Sequence, residues 1–202
     1  MDKSATTIIA SCTVASGETT ALASCTRIDC SRATQLILSV NLTFAAASTE
    51  GALILLYTSS DNSTWDDYYW DSFEIPNCRE LAYTSGDYEF MIDEVLTAED
   101  GGVASVSGWT LGSGTWAGGD AAGNVYLHDI VVSGGGFVDT ETLTGSDSGC
   151  VATQSGSMAA HAVTRTYYST TPTPLYIKAR IHNLDTSVDI TLASLISVKQ
   201  TI

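Results

Sequence analysis

The chain has 202 residues, of which 44% are hydrophobic and 15% are charged, and its formal net charge is −15. This composition is globular and argues against disorder, and no apolar run approaches the ~20 residues of a membrane-spanning helix. A chain of this length buries about 70% of its unfolded surface, enough for one large all-β domain or two smaller ones.

Acidic residues outnumber basic residues by 23 to 8. The basic residues are scattered, and a nucleic-acid groove needs clustered cations, so the pattern argues against binding of DNA or RNA. Solubility is the simplest interpretation of the acidity, with a cationic partner or bound divalent ions as alternatives. The common nucleophile, zinc-protease and phosphate-loop motifs are missing from the sequence, so we predict a non-enzymatic protein without a cofactor.

The chain has five cysteines, Cys12, Cys25, Cys30, Cys78 and Cys150. Their odd number and the absence of a C-x-x-C pair argue against a complete disulfide framework and against a zinc knuckle. We therefore expect reduced, buried thiols in a protein made in a cytosol. Pairing of Cys12 with Cys25 across a hairpin stays open.

Apolar residues in the first part of the chain follow the two-residue period of β-strands. One face of residues 36–44 carries Leu36, Leu38, Val40, Leu42 and Phe44. The other face is mostly polar, which predicts a half-buried strand. Residues 52–57 are apolar throughout and predict a central strand that is buried on both faces.

A polar turn follows at residues 58–65 (TSSDNSTW), where Ser, Asp and Asn side chains can bond the backbone of a hairpin. Residues 66–75 then predict another strand. The carboxylates of Asp61, Asp66 and Asp67 raise the possibility of a bound Ca²⁺ ion. A solvated acidic loop is the simpler interpretation, because their spacing is not that of an ordered calcium loop.

Four aromatic residues, Trp65, Tyr68, Tyr69 and Trp70, lie in the same region. One hypothesis is that they form a platform for stacking on a sugar ring or for contact with a partner protein. The alternative is that they alternate between the core and one face of a sheet, which is how aromatic residues usually pack in strands.

Glycine is concentrated in the middle of the chain, over residues 101–156. Frequent glycines permit tight turns and close backbone approach. The short apolar segments between them predict a small meander or mini-barrel, with Trp116 and Phe137 helping to fill its core. Trp109, Trp116 and Phe137 are also candidate contact residues through which this insert would bind a partner.

The same stretch carries a recognisable pattern at GTWAGGDAAGNVYL (residues 114–127) and GFVDTETLTG (residues 136–145). It resembles a module that recurs in tailed-bacteriophage virion proteins, with the form G-T-[FW]-x-x-G-D-x-A-G-x-[LV]-x-L followed by G-x-F-x-x-x-E-x-[IL]-x-G, whose second part begins here at Gly135. The two parts together span about a sixth of the chain. The resemblance implies a phage structural protein and brings no catalytic residue with it.

The last part of the chain returns to strand patterns. Residues 162–168 and 188–198 predict strands, and residues 171–174 (TPTP) predict an extended connection. Residues 175–181 alternate cleanly, and Asn183 and Asp185 bracket a turn. The phrase PLYIKARIHNLD (residues 174–185) also resembles phage β-sandwich proteins.

Histidines are interpreted as structural. His161 and His182 have no neighbouring Cys, Asp or Glu at metal-ligand spacing. His128 and Asp129 are neighbours in a predicted strand, so we expect their side chains to point to opposite faces and to share no ligand.

Together these patterns predict an all-β protein, an antiparallel jelly-roll-like β-sandwich formed by residues 1–99 and 157–202 with an inserted Gly-rich β subdomain at residues 100–156. The resemblance implies a virion protein that is made in the host cytoplasm, self-associates and binds other virion proteins without nucleic acid or membrane. A capsid decoration or cement protein is the narrowest expectation. A tail, neck or baseplate component and a glycan-binding host-recognition module are the alternatives.

Overall fold

The computed structural model describes residues 2–169 and 174–201, so most of the predicted connection at residues 171–174 lies outside the described residues. Antiparallel strands form nearly all of the regular structure; within the described ranges the helical segments are two short 3₁₀ turns, and no helix there could cross a membrane. The strands are β1 (Asp2–Ile9), β2 (Cys12–Val14), β3 (Ile28–Asp29), β4 (Ala33–Phe44), β5 (Ala52–Ser59), β6 (Asp71–Ile75), β7 (Arg79–Gly86), β8 (Val95–Ala98), β9 (Gly102–Ser113), β10 (Ala121–Val132), β11 (Thr142–Gly145), β12 (Val151–Gln154), β13 (Ala159–Ser169), β14 (Tyr176–Asn183) and β15 (Ile190–Thr201).

The chain divides into two compact units. Unit 1 comprises Met1–Phe44, Glu50–Ile75 and Ala162–Ile202, and unit 2 comprises Ala45–Thr49 and Pro76–His161. The main insert thus begins at Pro76 rather than at residue 100, and ends at His161 rather than at residue 156. The reason is that β7 and β8 look like sandwich strands in composition, yet they pair with the Gly-rich strands that follow them.

Unit 1 is a sandwich of two antiparallel sheets, which confirms the predicted fold class. In one sheet β15 lies between β1 and β4, with β2 also paired to β15 and β13 next to β4. The other sheet has the order β3–β14–β5–β6. Inward-facing apolar side chains of both sheets fill the space between them, as in other sandwiches.

The predicted alternation of the strand at residues 36–44 is confirmed. The five apolar side chains on its inner face are at most 2% exposed, whereas the residues between them are half-buried. The predicted central strand at residues 52–57 is also confirmed, because β5 lies between β14 and β6 and is buried at nearly every position. The predicted strand at residues 66–75 is partly wrong, since only Asp71–Ile75 is a strand and residues 60–70 form a loop.

Asn183 and Asp185 hold the turn that the sequence predicts between β14 and β15. The Asn183 side-chain amide donates to the carbonyl of Val188 at 2.8 Å, and its Oδ1 accepts from the Asp185 backbone N–H at 3.1 Å. Asp185 Oδ1 accepts from the backbone N–H groups of Ser187 and Val188 at 2.8 and 3.0 Å. Both residues are buried, so their polar atoms need these partners.

Unit 2 is a closed six-stranded antiparallel barrel, which we call the barrel. Its strands follow the order β7–β10–β9–β8–β11–β12, and pairing of β12 with β7 closes the ring. Closure removes the free edges that an open sheet of this size would present. Its interior is apolar and includes six fully buried side chains, those of Leu81, Leu96, Val106, Val125, Leu127 and Leu143.

The glycines and polar residues of the phage-like pattern have structural roles in the barrel. Gly123 lies so close to β9 that a Cβ atom would be 1.9 Å from the Thr110 carbonyl oxygen. Gly114 has a φ of 73° at the start of the turn between β9 and β10, a conformation that glycine adopts without strain. Glu141 is buried and accepts from the Asp100 backbone N–H at 2.9 Å.

Candidate functional site

The predicted aromatic residues lie on the loop of residues 60–70 between β5 and β6, which we call the aromatic loop. Tyr68 is 85% exposed, Tyr69 52% and Trp70 43%, whereas Trp65 is half-buried. Alternation between core and sheet face does not occur, because this segment is not a strand. The aromatic loop therefore presents three large side chains on the surface of unit 1.

Asp61 fixes the beginning of the aromatic loop. Its Oδ1 atom accepts from the backbone N–H groups of Ser63 and Thr64, both at 2.8 Å, and from the Ser59 hydroxyl at 3.1 Å. The hydrogen bonds from the Thr64 and Ser63 backbone hold the pKa of Asp61 well below its usual range. Asn62 takes a positive φ of 64° within this turn.

The end of the aromatic loop is tied back to β5. The backbone N–H of Asp66 donates to the Thr58 carbonyl at 3.1 Å, and that of Trp70 donates to the Leu56 carbonyl at 2.7 Å. The Thr58 hydroxyl also donates to the Asp66 carboxylate. The exposed rings therefore project from a backbone that is held at both ends.

Trp65 has a different role from the other three aromatic residues. The Lys178 ammonium group lies 5.0 Å from the centre of the Trp65 ring, within the range of a cation–π contact. Lys178 Nζ also donates to the Leu22 carbonyl at 3.2 Å. Trp65 thus attaches the aromatic loop to the outer face of β14, and Tyr68, Tyr69 and Trp70 remain available for contact.

The structure does not assemble a calcium site from Asp61, Asp66 and Asp67. The Asp61 carboxylate accepts hydrogen bonds from its own loop, the Asp66 carboxylate accepts one from Thr58 in β5, and Asp67 is exposed. Nowhere in the described ranges do three or more His, Cys, Asp or Glu side chains come together in a group that could hold a metal ion. A protein without a cofactor stays the prediction, with Ca²⁺ at these residues as its alternative.

Trp109, Trp116 and Phe137, the candidate contact residues of the insert, are partly buried and pack against the core of the barrel, as the sequence predicts for Trp116 and Phe137. The Trp109 indole N–H donates to the Phe90 carbonyl at 2.7 Å. The Trp116 ring stacks on Tyr83 with 5.5 Å between ring centres. Large aromatic side chains bury more apolar area than any others, and a small barrel uses them for stability.

One end of the barrel carries a cleft that the sequence does not predict. The loops of residues 87–94, 114–120 and 146–150 meet there, because each leaves or enters a strand at that end. The cleft has a volume of about 510 Å³. Its walls include Asp87, Tyr88, Glu89, Met91, Trp116 and Asp147. We call this cleft the barrel mouth.

Buried Glu94 holds two of these loops together. Its carboxylate accepts from the backbone N–H of Met91 at 2.7 Å, of Asp147 at 3.2 Å and of Ser148 at 3.0 Å. Asp87 Oδ1 accepts a further hydrogen bond from the Val151 backbone N–H at 2.7 Å. Such carboxylate–amide bonds are stronger than neutral ones, so the barrel mouth is formed before any ligand arrives.

The predicted orientation of the neighbouring His128 and Asp129 side chains is wrong. His128 Nδ1 and Asp129 Oδ2 lie 2.9 Å apart, although these neighbours were expected to point to opposite faces. Asp129 has a positive φ of 50°, and the register of β10 against β9 shifts between His128 and Val131. This bulge interrupts the two-residue alternation and brings the side chains together.

The cysteines are all free. Burial raises the pKa of the Cys150 thiol to about 11 and also raises that of the half-buried Cys12. The thiolate is the reactive form of cysteine. Neither environment therefore favours a nucleophilic thiol.

Comparisons of the chain with protein families, with curated proteins and with solved structures find no match.

Proposed function

We propose that this chain is a non-enzymatic structural component of a tailed-bacteriophage particle, made in the host cytoplasm and used through protein–protein contacts. A capsid decoration or cement protein is the narrowest form of the proposal; a tail, neck or baseplate component is the next. The support is the phage-like pattern, whose residues coincide with positions that the barrel requires: Gly114, Gly123 and Glu141 each have a structural role there.

The observation that carries the contact role is the exposure of Tyr68, Tyr69 and Trp70 on an anchored loop. Tyr and Trp are enriched at protein interfaces, where they supply most of the binding energy. A loop that is already ordered also loses little conformational entropy on binding. The aromatic loop is therefore the surface through which unit 1 would bind a neighbouring subunit.

Self-association into a homo-oligomer, a trimer in our proposal, is part of the same function. Within the described ranges β1 pairs only with β15, so it offers a free strand edge in unit 1. A symmetric assembly covers such an edge with another copy of the chain. The barrel is closed, so it offers no edge for this purpose.

Replacement of Tyr68, Tyr69 and Trp70 together by Ala tests the proposal. The fold should be retained, because these side chains are exposed and surface changes usually alter stability by less than about 0.5 kcal/mol each. Tyr168→Ala is the matched control, since Tyr168 is an aromatic residue of unit 1 that is 64% exposed and lies outside the loop. Sedimentation velocity and incorporation into purified particles are the two readouts.

We expect the triple variant to lose self-association or particle incorporation while the control keeps both. Loss of glycan-array binding with incorporation intact would instead favour the glycan-recognition alternative. Absence of the unsubstituted protein from purified particles, with no self-association at any concentration, would overturn the proposal.

A further inference from the structure

The negative charge of this protein is concentrated in unit 2. Twelve of the 23 acidic residues but only one of the eight basic residues lie in its two segments, Ala45–Thr49 and Pro76–His161, so its formal charge is −11 of the total −15. The one basic residue, Arg79, is 5% exposed. The barrel surface therefore has carboxylates and no exposed basic side chain.

The barrel mouth combines this charge with exposed apolar groups. Tyr88 is 61% exposed and Met91 52%, and both line the cleft with Trp116. Glu89 and Asp147 border the same cleft and are exposed. Their carboxylates have no hydrogen-bond or ion-pair partner within the described part of the chain.

We infer that the barrel mouth binds an arginine side chain from a basic segment of a partner protein. A guanidinium group stacks on aromatic rings and donates to carboxylates at its edge, so it matches both kinds of wall at once. An ammonium group is more strongly hydrated and cannot stack in this way. Barrel ends are also common positions for binding sites.

The geometry suits a protein segment rather than a metal ion. A volume of about 510 Å³ accepts one long side chain with its flanking backbone. The carboxylates do not form a group that could hold a metal ion in the described ranges. Because Glu94 and Asp87 already fix the loops, binding requires little reordering.

This inference does not depend on the aromatic loop, which lies in unit 1. A failed triple-alanine experiment would leave the barrel mouth untouched. Conversely, a barrel mouth that does not bind arginine would leave the proposed contact role of Tyr68, Tyr69 and Trp70 intact.

The test is an NMR titration of the full chain with a short peptide that contains two arginines, acetyl-Gly-Arg-Gly-Arg-Gly-amide. The same peptide with citrulline in place of arginine keeps the size and removes the charge. The Trp116 indole N–H is buried and lacks a hydrogen-bond partner among the described residues. Its signal therefore reports directly on the wall of the cleft.

The discriminating variant is Glu89→Gln combined with Asp147→Asn, which removes two exposed carboxylates without removing a described hydrogen bond of either side chain. The matched control is Glu99→Gln. Glu99 is also exposed on the barrel, but it follows β8 and lies at the end opposite the barrel mouth. Glu99→Gln thus removes one carboxylate charge from the barrel at the end opposite the barrel mouth.

We expect the arginine peptide to shift signals of residues 86–92, 116–118 and 147–148, and the double variant to weaken binding about tenfold. Salt should weaken binding as well, and the citrulline peptide should not bind. Equal weakening by Glu99→Gln, or shifts spread over the whole acidic surface, would show diffuse charge attraction and overturn the inference. The absence of any shift would overturn it too.

Discussion

Replacement of the buried Glu94 by Gln tests whether a single carboxylate holds the barrel mouth. One side-chain oxygen of Glu94 accepts from Met91 N–H, and the other accepts from the N–H groups of Asp147 and Ser148. Gln has one acceptor oxygen, and its NH₂ group is a donor. Whichever way the amide is placed, at least one backbone N–H meets a donor.

The expected cost follows from that count. A buried donor without an acceptor costs about 1–3 kcal/mol, and Glu94 is 1% exposed. We therefore expect Glu94→Gln to lower the free energy of unfolding of the barrel by about 2 kcal/mol. With a urea dependence of about 1–3 kcal/mol per molar, the midpoint should fall by about 1 M.

Urea unfolding followed by amide NMR signals is the suitable assay, because two units need not unfold together. Core signals of β7 to β12 report on the barrel, and those of β4 and β14 report on unit 1. Glu89→Gln is the control: it makes the same chemical change at an exposed residue of the same loop. A barrel midpoint for Glu94→Gln within error of that control would refute the reasoning.

Further predictions follow from single sites. Gly123→Ala should destabilise the barrel by about 3 kcal/mol or more in thermal melts, because the new Cβ would lie 1.9 Å from a backbone carbonyl oxygen. Gly108→Ala is the control and should cost little, because its Cβ would be 3.7 Å from the nearest neighbouring atom. Asp61 has a lowered pKa, so its ionised carboxylate should stabilise the turn at every pH above the unfolded pKa of about 3.9. This stabilisation should be lost only as the pH falls through the lower pKa of the folded state. A titration midpoint of the Asp61 carboxyl at or above about 3.9, measured by NMR, would contradict this. Cys150, with a pKa of about 11, should react with iodoacetamide more slowly than half-exposed Cys12, and mass spectrometry showing the reverse order would contradict the burial argument.

Local patterns in the sequence predict the sandwich strands well. The inner face of β4 and the burial of β5 follow from side-chain alternation and from an unbroken apolar run, both of which depend on near neighbours. Asn183 and Asp185 likewise mark a turn through short side chains that bond the adjacent backbone. Glu94 gives no comparable signal, because its partners Asp147 and Ser148 are far away in the chain.

The tertiary structure alone decides the boundary at Pro76, the closure of the barrel and the meeting of its three loops. Composition places residues 79–98 with the sandwich, whereas strand pairing places them in the barrel. The tertiary structure also decides that Trp109 packs against the barrel core and that Tyr68 is exposed. Aromatic side chains suit a core and an interface equally well by composition. Which role each one takes depends on long-range pairing of the backbone, and residue order along a single strand does not encode that pairing.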